Sequence, residues 1–337
     1  MNEDEKRGFK SDFVNIQTMS ATCGKKSCDL REVVCQRFLG DLVRENPELL
    51  TINIGVHILN SFTATFGNLL IMVTIWRTPA LHIPSNALLF SLALSDFFVG
   101  CIAQPMFMKA QVIVYNNDEM EMCSLNLAAA FINIFLTIVT FLVITVISVD
   151  RYLAIHFHLR YPEIVTDTRI QICIFATWVA GGAISAISFF ATRIFQWTLI
   201  IAGMICLLIA SYIWIRIYLV VNHHQAQIQH QVNIHIAQDQ QFNMLRFRKS
   251  ANRCMLLTFL YLLCYLPQIT FLVCLLFNVN TRSCFVGYYF CYTFVAVNSS
   301  LNPLVYCWRH RDIRTAAKQF LMKISWHAQV QEIHLTN

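Results

Sequence analysis

Residues 131–156 read Phe-Ile-Asn-Ile-Phe-Leu-Thr-Ile-Val-Thr-Phe-Leu-Val-Ile-Thr-Val-Ile-Ser-Val-Asp-Arg-Tyr-Leu-Ala-Ile-His. No side chain from Phe131 to Val149 carries charge, a run close to the ~20 apolar residues that cross a bilayer. Asp150-Arg151 then closes it with an acid and a base side by side. A segment of this kind in lipid has to be helical, because its backbone N–H and C=O groups find no partner outside the segment. It also has to end at an interface, where the charged pair meets headgroups and water.

Six more stretches of the same character flank it. The apolar pattern predicts seven helices at about 51–76, 86–113, 124–152, 169–192, 195–221, 251–277 and 285–307. The composition agrees: 56% of residues are hydrophobic, 26 are Phe, and only 13% are charged, against about 25% in soluble domains. The expected fold is therefore all-α, a seven-transmembrane helix bundle. Residues 1–50, with nine acids among eight Lys or Arg, read as an extracellular N-terminal tail. They hold no apolar core of signal-peptide length, so the first apolar helix is expected to target the chain. Residues 51–307 form the membrane domain, and 308–323 read as an amphipathic helix on the inner surface with Ile313, Phe320 and Leu321 among cations. Residues 324–337 read as a cytoplasmic tail.

The net charge of +6 does not point to nucleic acid, because the cations sit at the ends of apolar segments. One set of connections holds Arg77, Arg160, Arg169, Arg246, Arg248, Lys249 and Arg253, and the C-terminal segment adds Arg309, Arg311, Arg314, Lys318 and Lys323. The other set holds only Lys109, Arg193 and Arg282. The bias predicts N-terminus outside and C-terminus inside. Spans four and five are joined by very little, roughly Ala191 to Trp197, yet two full crossings fit between Arg169 and Val221. The Gln- and His-rich stretch 222–249 reads as a polar helical extension of helices five and six. Cys101, Cys173, Cys206, Cys254, Cys264, Cys274, Cys291 and Cys307 fall in or beside apolar segments and read as buried thiols. Cys23, Cys28, Cys35, Cys123 and Cys284 fall in polar outer stretches where a disulfide is chemically open.

Within the spans a few polar residues stand out. Asp96 lies mid-helix in Leu92-Ala93-Leu94-Ser95-Asp96-Phe97-Phe98, where an acid costs about 2.5–3.5 kcal/mol even on insertion scales. It has to face the bundle interior. Asn68 on the first helix and Asn298, Ser299 and Asn302 on the seventh stand at matching depth, which predicts one buried polar network. Pro267 and Pro303 each remove a backbone hydrogen bond and kink helices six and seven.

Taken together, Asn68, Leu92–Asp96, Asp150-Arg151-Tyr152, Trp178, Cys264-Tyr265-Leu266-Pro267 and Asn302-Pro303-Leu304-Val305-Tyr306 resemble the signatures of rhodopsin-like (class A) G-protein-coupled receptors, one per helix and in order over residues 50–323. The resemblance implies roles. Asp96, Asn68, Thr140, Asn298 and Asn302 look like the family's pocket for water and an allosteric sodium ion. Arg151 looks like the residue that engages a heterotrimeric G protein once the sixth helix swings out, with Asp150 and Tyr152 beside it. Leu159 looks like the apolar side chain that enters the G protein, and Tyr306 like the switch tyrosine. Tyr265 takes the place of the usual toggle tryptophan. An extracellular ligand would bind among Asn133, Ile134, Thr137, Leu272, Tyr289, Tyr292 and Thr293.

The departures narrow the ligand. Asn133 stands where amine receptors carry an aspartate, which disfavours a biogenic amine, and Ala296 stands where retinal proteins carry a lysine. The mostly apolar wall suits a lipid or a small neutral molecule, and a short second outer loop leaves the mouth open to a peptide. That loop has no cysteine, so the family's usual disulfide is absent; Cys123, about one helical turn farther from Arg151 than is usual, is left with Cys284 or a tail cysteine, or stays reduced. The fifth helix has no proline, and Phe247 replaces the acid that would lock Arg151, which predicts basal activity. The missing loop cysteine and proline resemble the branch of melanocortin, lysophospholipid and cannabinoid receptors, with adenosine receptors nearby. A transporter or channel is the alternative function class, but the halves of the chain show no repeat and only one acid is buried. An intramembrane enzyme would need a cluster of His, Cys and carboxylates that the spans lack.

Overall fold

The computed structural model describes residues 40, 44–116, 119–157, 160–187, 192–230, 259–271, 273–274, 282–309 and 311–322. Seven helices follow the predicted order: α1 (Pro47–Arg77), α2 (Pro84–Asn116), α3 (Glu119–His156), α4 (Asp167–Ile187), α5 (Thr192–His230), α6 (Phe259–Phe271) and α7 (Arg282–Arg309). A further helix, α8, covers 311–322. Among the described residues five helices are long and apolar enough to cross a membrane, and α4 and α5 are two of them. The two crossings inferred between Arg169 and Val221 are thus separate helices, with only 188–191 between them.

Most helices overrun the predicted apolar limits, because hydropathy marks the lipid-facing length while the backbone ladder continues into polar sequence. α5 is the extreme case and runs on to His230. Pro47 and Pro84 open α1 and α2 at first-turn positions, where the missing N–H costs nothing.

The distribution of polarity is inverted relative to a water-soluble protein. Leu59, Phe62, Trp76, Phe175, Leu208 and Leu304 are all more than half exposed. Asn68, Ser95, Asp96, Gln104 and His57 are wholly buried. Such a surface is stable only with hydrocarbon as its solvent. The apolar core gathers Ile71, Leu92, Val139, Val143, Tyr265 and Tyr306 from α1, α2, α3, α6 and α7. α3 packs on α2, α4 and α5, while α1 packs on α2 and α7. Gly67 lets α7 close on α1, since a Cβ there would stand 3.0 Å from the Pro303 ring.

α8 packs on the bundle by one face. Ile313 and Ala317 are buried, and Phe320 lies partly buried under the Arg77 guanidinium, 5.5 Å from its ring centre. Leu321 is half exposed, since the inward stripe steps by four and three residues and misses it.

Candidate functional site

Two polar clusters occupy the bundle on either side of the core. The first is centred on Asp96, fully buried on α2. Asn302 Nδ2, from the turn before Pro303, donates to Asp96 Oδ2 at 2.6 Å. Asn68 Nδ2 donates to the Ser299 carbonyl at 3.0 Å and to its own Ala64 carbonyl at 2.8 Å. Ser95 Oγ lies 3.3 Å from Thr140 Oγ1, which brings α3 into the same layer. Asn298 and Ser299 are buried beside them. Asp96 Oδ1 and Asn68 Oδ1 are buried without a hydrogen bond. The layer predicted from matching depth on helices one, two and seven is therefore assembled, with unmet acceptor capacity at its centre.

The second cluster closes the inner end of α3. Asp150 is 2% exposed and Arg151 22%, so the acid is the fixed partner and the cation the accessible one. Arg151 Nε donates to Asp150 Oδ2 at 2.9 Å, and Nη2 of the same guanidinium also bonds that oxygen. Tyr161 Oη donates to Asp150 Oδ1 at 2.7 Å. Ser85 Oγ stands 3.1 Å from Asp150 Oδ2 and 2.9 Å from Tyr161 Oη. Tyr161 begins a one-turn helix, Tyr161–Ile164, whose last carbonyls are held from α4: Arg169 Nη1 donates to the Glu163 and Ile164 carbonyls at 3.2 and 2.8 Å. Burial pushes the Tyr161 phenol up to about 12; the bond from Ser85 works against this and the Asp150 carboxylate works with it. Neither Tyr161 nor Ser85 stood out in the sequence. The available signal was a hydroxyl one residue past the Pro84 helix start and a tyrosine ten residues beyond Arg151, too common a pattern to select them.

The other predicted residues are spread through the bundle. Tyr306 is wholly buried in the core. Tyr265 is buried, with Phe141 4.9 Å and Tyr261 4.3 Å away between ring centres. α6 runs through Pro267, which is partly buried. Tyr152 stacks on His156 at 5.4 Å. Trp178 donates from Nε1 to Ser91 Oγ at 3.0 Å, fastening α4 to α2. Of the ligand-pocket residues, Asn133, Ile134 and Thr137 are partly buried on α3, and Tyr292 hydrogen-bonds Asn133 Oδ1 across the bundle. Thr293 instead faces α1, where it meets Asn53 and His57. Leu159, Leu272, Phe247 and the side chains of Tyr289, Cys123 and Cys284 lie outside the described residues. Seven of the cysteines assigned to apolar segments are free thiols, but only Cys264 and Cys291 are buried and Cys173 is exposed, facing outward from α4; Cys254 lies outside the described residues.

Comparison with known proteins fits this arrangement. Residues 67–196 match the 7-transmembrane receptor (rhodopsin) family. The chain is 34% identical over 129 residues to trace amine-associated receptor 6 of Rattus norvegicus, spanning 38% of this chain and 36% of that receptor. It is 25% identical over 295 residues to trace amine-associated receptor 1 of Mus musculus, spanning 76% of this chain and 84% of that receptor. It is 23% identical over 338 residues to cannabinoid receptor 1 of Xenopus laevis, spanning 91% of this chain and 68% of that receptor. Residues 67–196 are thus similar to the rhodopsin family of seven-transmembrane receptors, and two of these receptors extend the similarity over most of the chain.

Proposed function

We propose that the protein is a G-protein-coupled receptor of the plasma membrane, with its N-terminus outside, in which an extracellular ligand activates a heterotrimeric G protein through outward movement of α6. The observation that carries this reading is the inner end of α3, where a partly exposed guanidinium is held by a buried carboxylate. A charge held in this way is released when a better partner arrives, and a two-position residue of that kind is what a switch requires. Proline inside α7, next to the Asp96–Asn302 bond, gives the second moving part a weak point in its backbone ladder. The relatives named above are receptors, and none is a carrier or channel.

The Asp96 layer fits a sodium ion. A single carboxylate balances a single positive charge, and oxygen donors from Thr140, Asn298 and Asn302 suit a hard cation. The buried Asp96 Oδ1 is left without a hydrogen bond, so an acceptor is free for it. When bound, the ion would supply charge compensation, while Asn302 ties Asp96 to α7.

The ligand is proposed to be uncharged. Asn133 offers an amide where an ammonium would need a carboxylate, and its Oδ1 is already engaged by Tyr292. That separates this chain from an amine-binding reading of the trace amine-associated receptors.

The test is Arg151→Ala in a cell assay of G-protein activation, with surface expression measured in parallel. Wild type is expected to signal above mock-transfected cells without ligand, and Arg151→Ala to fall to the mock level at equal surface expression. Unchanged signalling in Arg151→Ala would remove the switch from α3.

A further inference from the structure

Toward the opposite end of the bundle from Arg151, one imidazole stands at the junction of three helices. His57 of α1 is wholly buried, the one histidine so placed among the described residues. A π turn at Val99–Ala103 adds a residue to the winding of α2 and rotates the outer half of the helix, so Gln104, Phe107 and Gln111 come onto the side of α1 and α7. Ser61 of α1 caps that turn, donating to the Gly100 carbonyl at 2.7 Å. Gln104, also wholly buried, is the hydrogen-bonding neighbour of the imidazole on α2. His57 Nε2 lies 3.2 Å from Thr293 Oγ1 of α7. The same oxygen accepts from Asn53 Nδ2 at 3.0 Å, and Asn53 Oδ1 accepts from Gln111 Nε2 at 2.8 Å. α1 is thereby tied to both neighbours, and Phe107 and Tyr292 close the third side with ring centres 4.1 Å apart.

Every described group against the imidazole is neutral. It meets the side chains of Gln104 and Thr293, the Phe107 ring at 4.9 Å and the Tyr292 ring, stacked at 6.0 Å between ring centres. The titratable groups of the adjoining segments are the Tyr292 phenol and the Cys101 and Cys291 thiols, all uncharged at pH 7 and below. Charges on the three helices stand off. Asp96 lies about 12 Å from Gln104 along α2, and Glu48, exposed at the start of α1, about 14 Å from His57. Lys109 is exposed about 140° round α2 from Gln104, and Arg282 opens α7 about 16 Å from Thr293.

A neutral imidazole suits this setting and an imidazolium does not. Thr293 and Gln104 can each accept a ring N–H, but the charge itself would lie buried with no acid to balance it, which is costly. Parting the outer ends of the helices admits water to the ring, and a hydrated imidazole takes a proton near pH 6.5. The proton therefore favours the parted arrangement over the closed one. By linkage the closed packing is whole above about pH 7, and its closed-to-open ratio falls about tenfold for each pH unit below about 6.5. We propose that His57 is an acid-released latch: with its ring neutral it fastens the outer ends of α1, α2 and α7 together, and acidification lets them part. The claim concerns conformation alone, so it stands or falls apart from the proposed G-protein activity.

The experiment follows melting of the full chain in nanodiscs from about pH 7.5 to about pH 5.5. Wild type is expected to lose roughly 2–4 °C more over that range than His57→Gln, the size of a tenfold change in a folding ratio. Gln104→Glu places the missing carboxylate beside the ring, and its midpoint is expected to hold steady where that of wild type falls. Hydrogen exchange on the wild type, with labelling times scaled to the chemical rate at each pH, locates the change. Acid is expected to strip protection from residues 49–60 and 104–115 before the inner half of α2, 85–98. An even wild-type midpoint across the range would overturn the proposal. So would an equal acid loss in folded His57→Gln, or in folded Gln104→Glu. Where neither variant folds, the exchange decides: acid-dependent loss of protection that spares 49–60 and 104–115 would overturn it as well.

Discussion

At the inner end of α3 one carboxylate serves three neighbours, and the division of labour among them can be measured. Asp150 Oδ2 takes Arg151 while Oδ1 takes the Tyr161 hydroxyl. Tyr161→Phe removes a hydrogen bond to a charged acceptor, a loss of about 1.5–3 kcal/mol, and is expected to lower the melting midpoint of the purified receptor while surface expression persists. The phenol also carries a pH signature. Its value is raised from 10.0 to about 12, so the stabilisation is whole below about 10 and drains away as pH rises toward about 12. In a base titration followed by tyrosinate absorbance, the difference between wild type and Tyr161→Phe should ionise near the upper value. Ionisation near 10 would show that the phenol is not buried beside Asp150. Asp96 gives the other residue-scale test. Replacing choline chloride by sodium chloride at constant ionic strength is expected to raise the melting midpoint of wild type and leave Asp96→Asn unmoved; equal responses would exclude sodium from that layer. Asp96 and Arg151 were legible because a charge within or beside a long apolar run has few explanations. Tyr161 was not, because its burial depends on a one-turn helix fixed by Arg169 from another element.

α2 shows what an element owes to its neighbours. Its inner half, Pro84–Phe98, and its outer half, Gln104–Asn116, are joined by the π turn at Val99–Ala103. Nothing in Val99-Gly100-Cys101-Ile102-Ala103 signals an extra residue in the winding, since hydropathy and helix propensity are unaffected by it. The turn packs directly against α1. A Cβ on Gly100 would stand 2.6 Å from Thr65 Oγ1 and 2.7 Å from the Thr65 backbone nitrogen, and the second of these cannot turn aside. Gly100→Ala is therefore expected to force α1 and α2 apart and to cost about 1–3 kcal/mol, seen as a lower melting midpoint and reduced surface expression. Gly55 on α1 is the control, because a methyl placed on it would meet no atom within 4 Å. Gly55→Ala should be neutral or stabilise by up to about 1 kcal/mol, since it only removes backbone freedom from the unfolded chain. Equal melting of the two variants would separate the turn from the packing of α1. The same rotation hid Asn53, His57, Gln104 and Gln111 from a sequence-only reading. Asn53 and His57 are one helical step of four apart on α1, which was a usable signal, but the facing of Gln104 and Gln111 follows only from the π turn.

At the scale of the molecule, the order of the spans and their approximate limits were legible because lipid imposes a single rule on every one: about twenty apolar residues with internal hydrogen bonds. The direction of threading rests on a different quantity, the placement of Lys and Arg. Arg77, Arg160 and Arg169 lie at or near the ends of α1, α3 and α4 on the side where Asp150–Arg151 sits, and α8 carries Arg311, Arg314 and Lys318 beside Arg77. The other side of the described bundle carries Arg44, Lys109, Arg193 and Arg282. Charges close to the span ends govern orientation, while the basic residues of a long tail count for less, so residues 1–39 should be translocated despite their cations. An epitope tag placed before residue 40 is expected to bind antibody on intact cells, and a tag after residue 330 only after permeabilisation. Both tags on one side would require an even number of crossings. The α4–α5 pair would then be the element to question, since only 188–191 separate these two apolar spans, and α6, α7 and α8 would be turned over relative to Arg151.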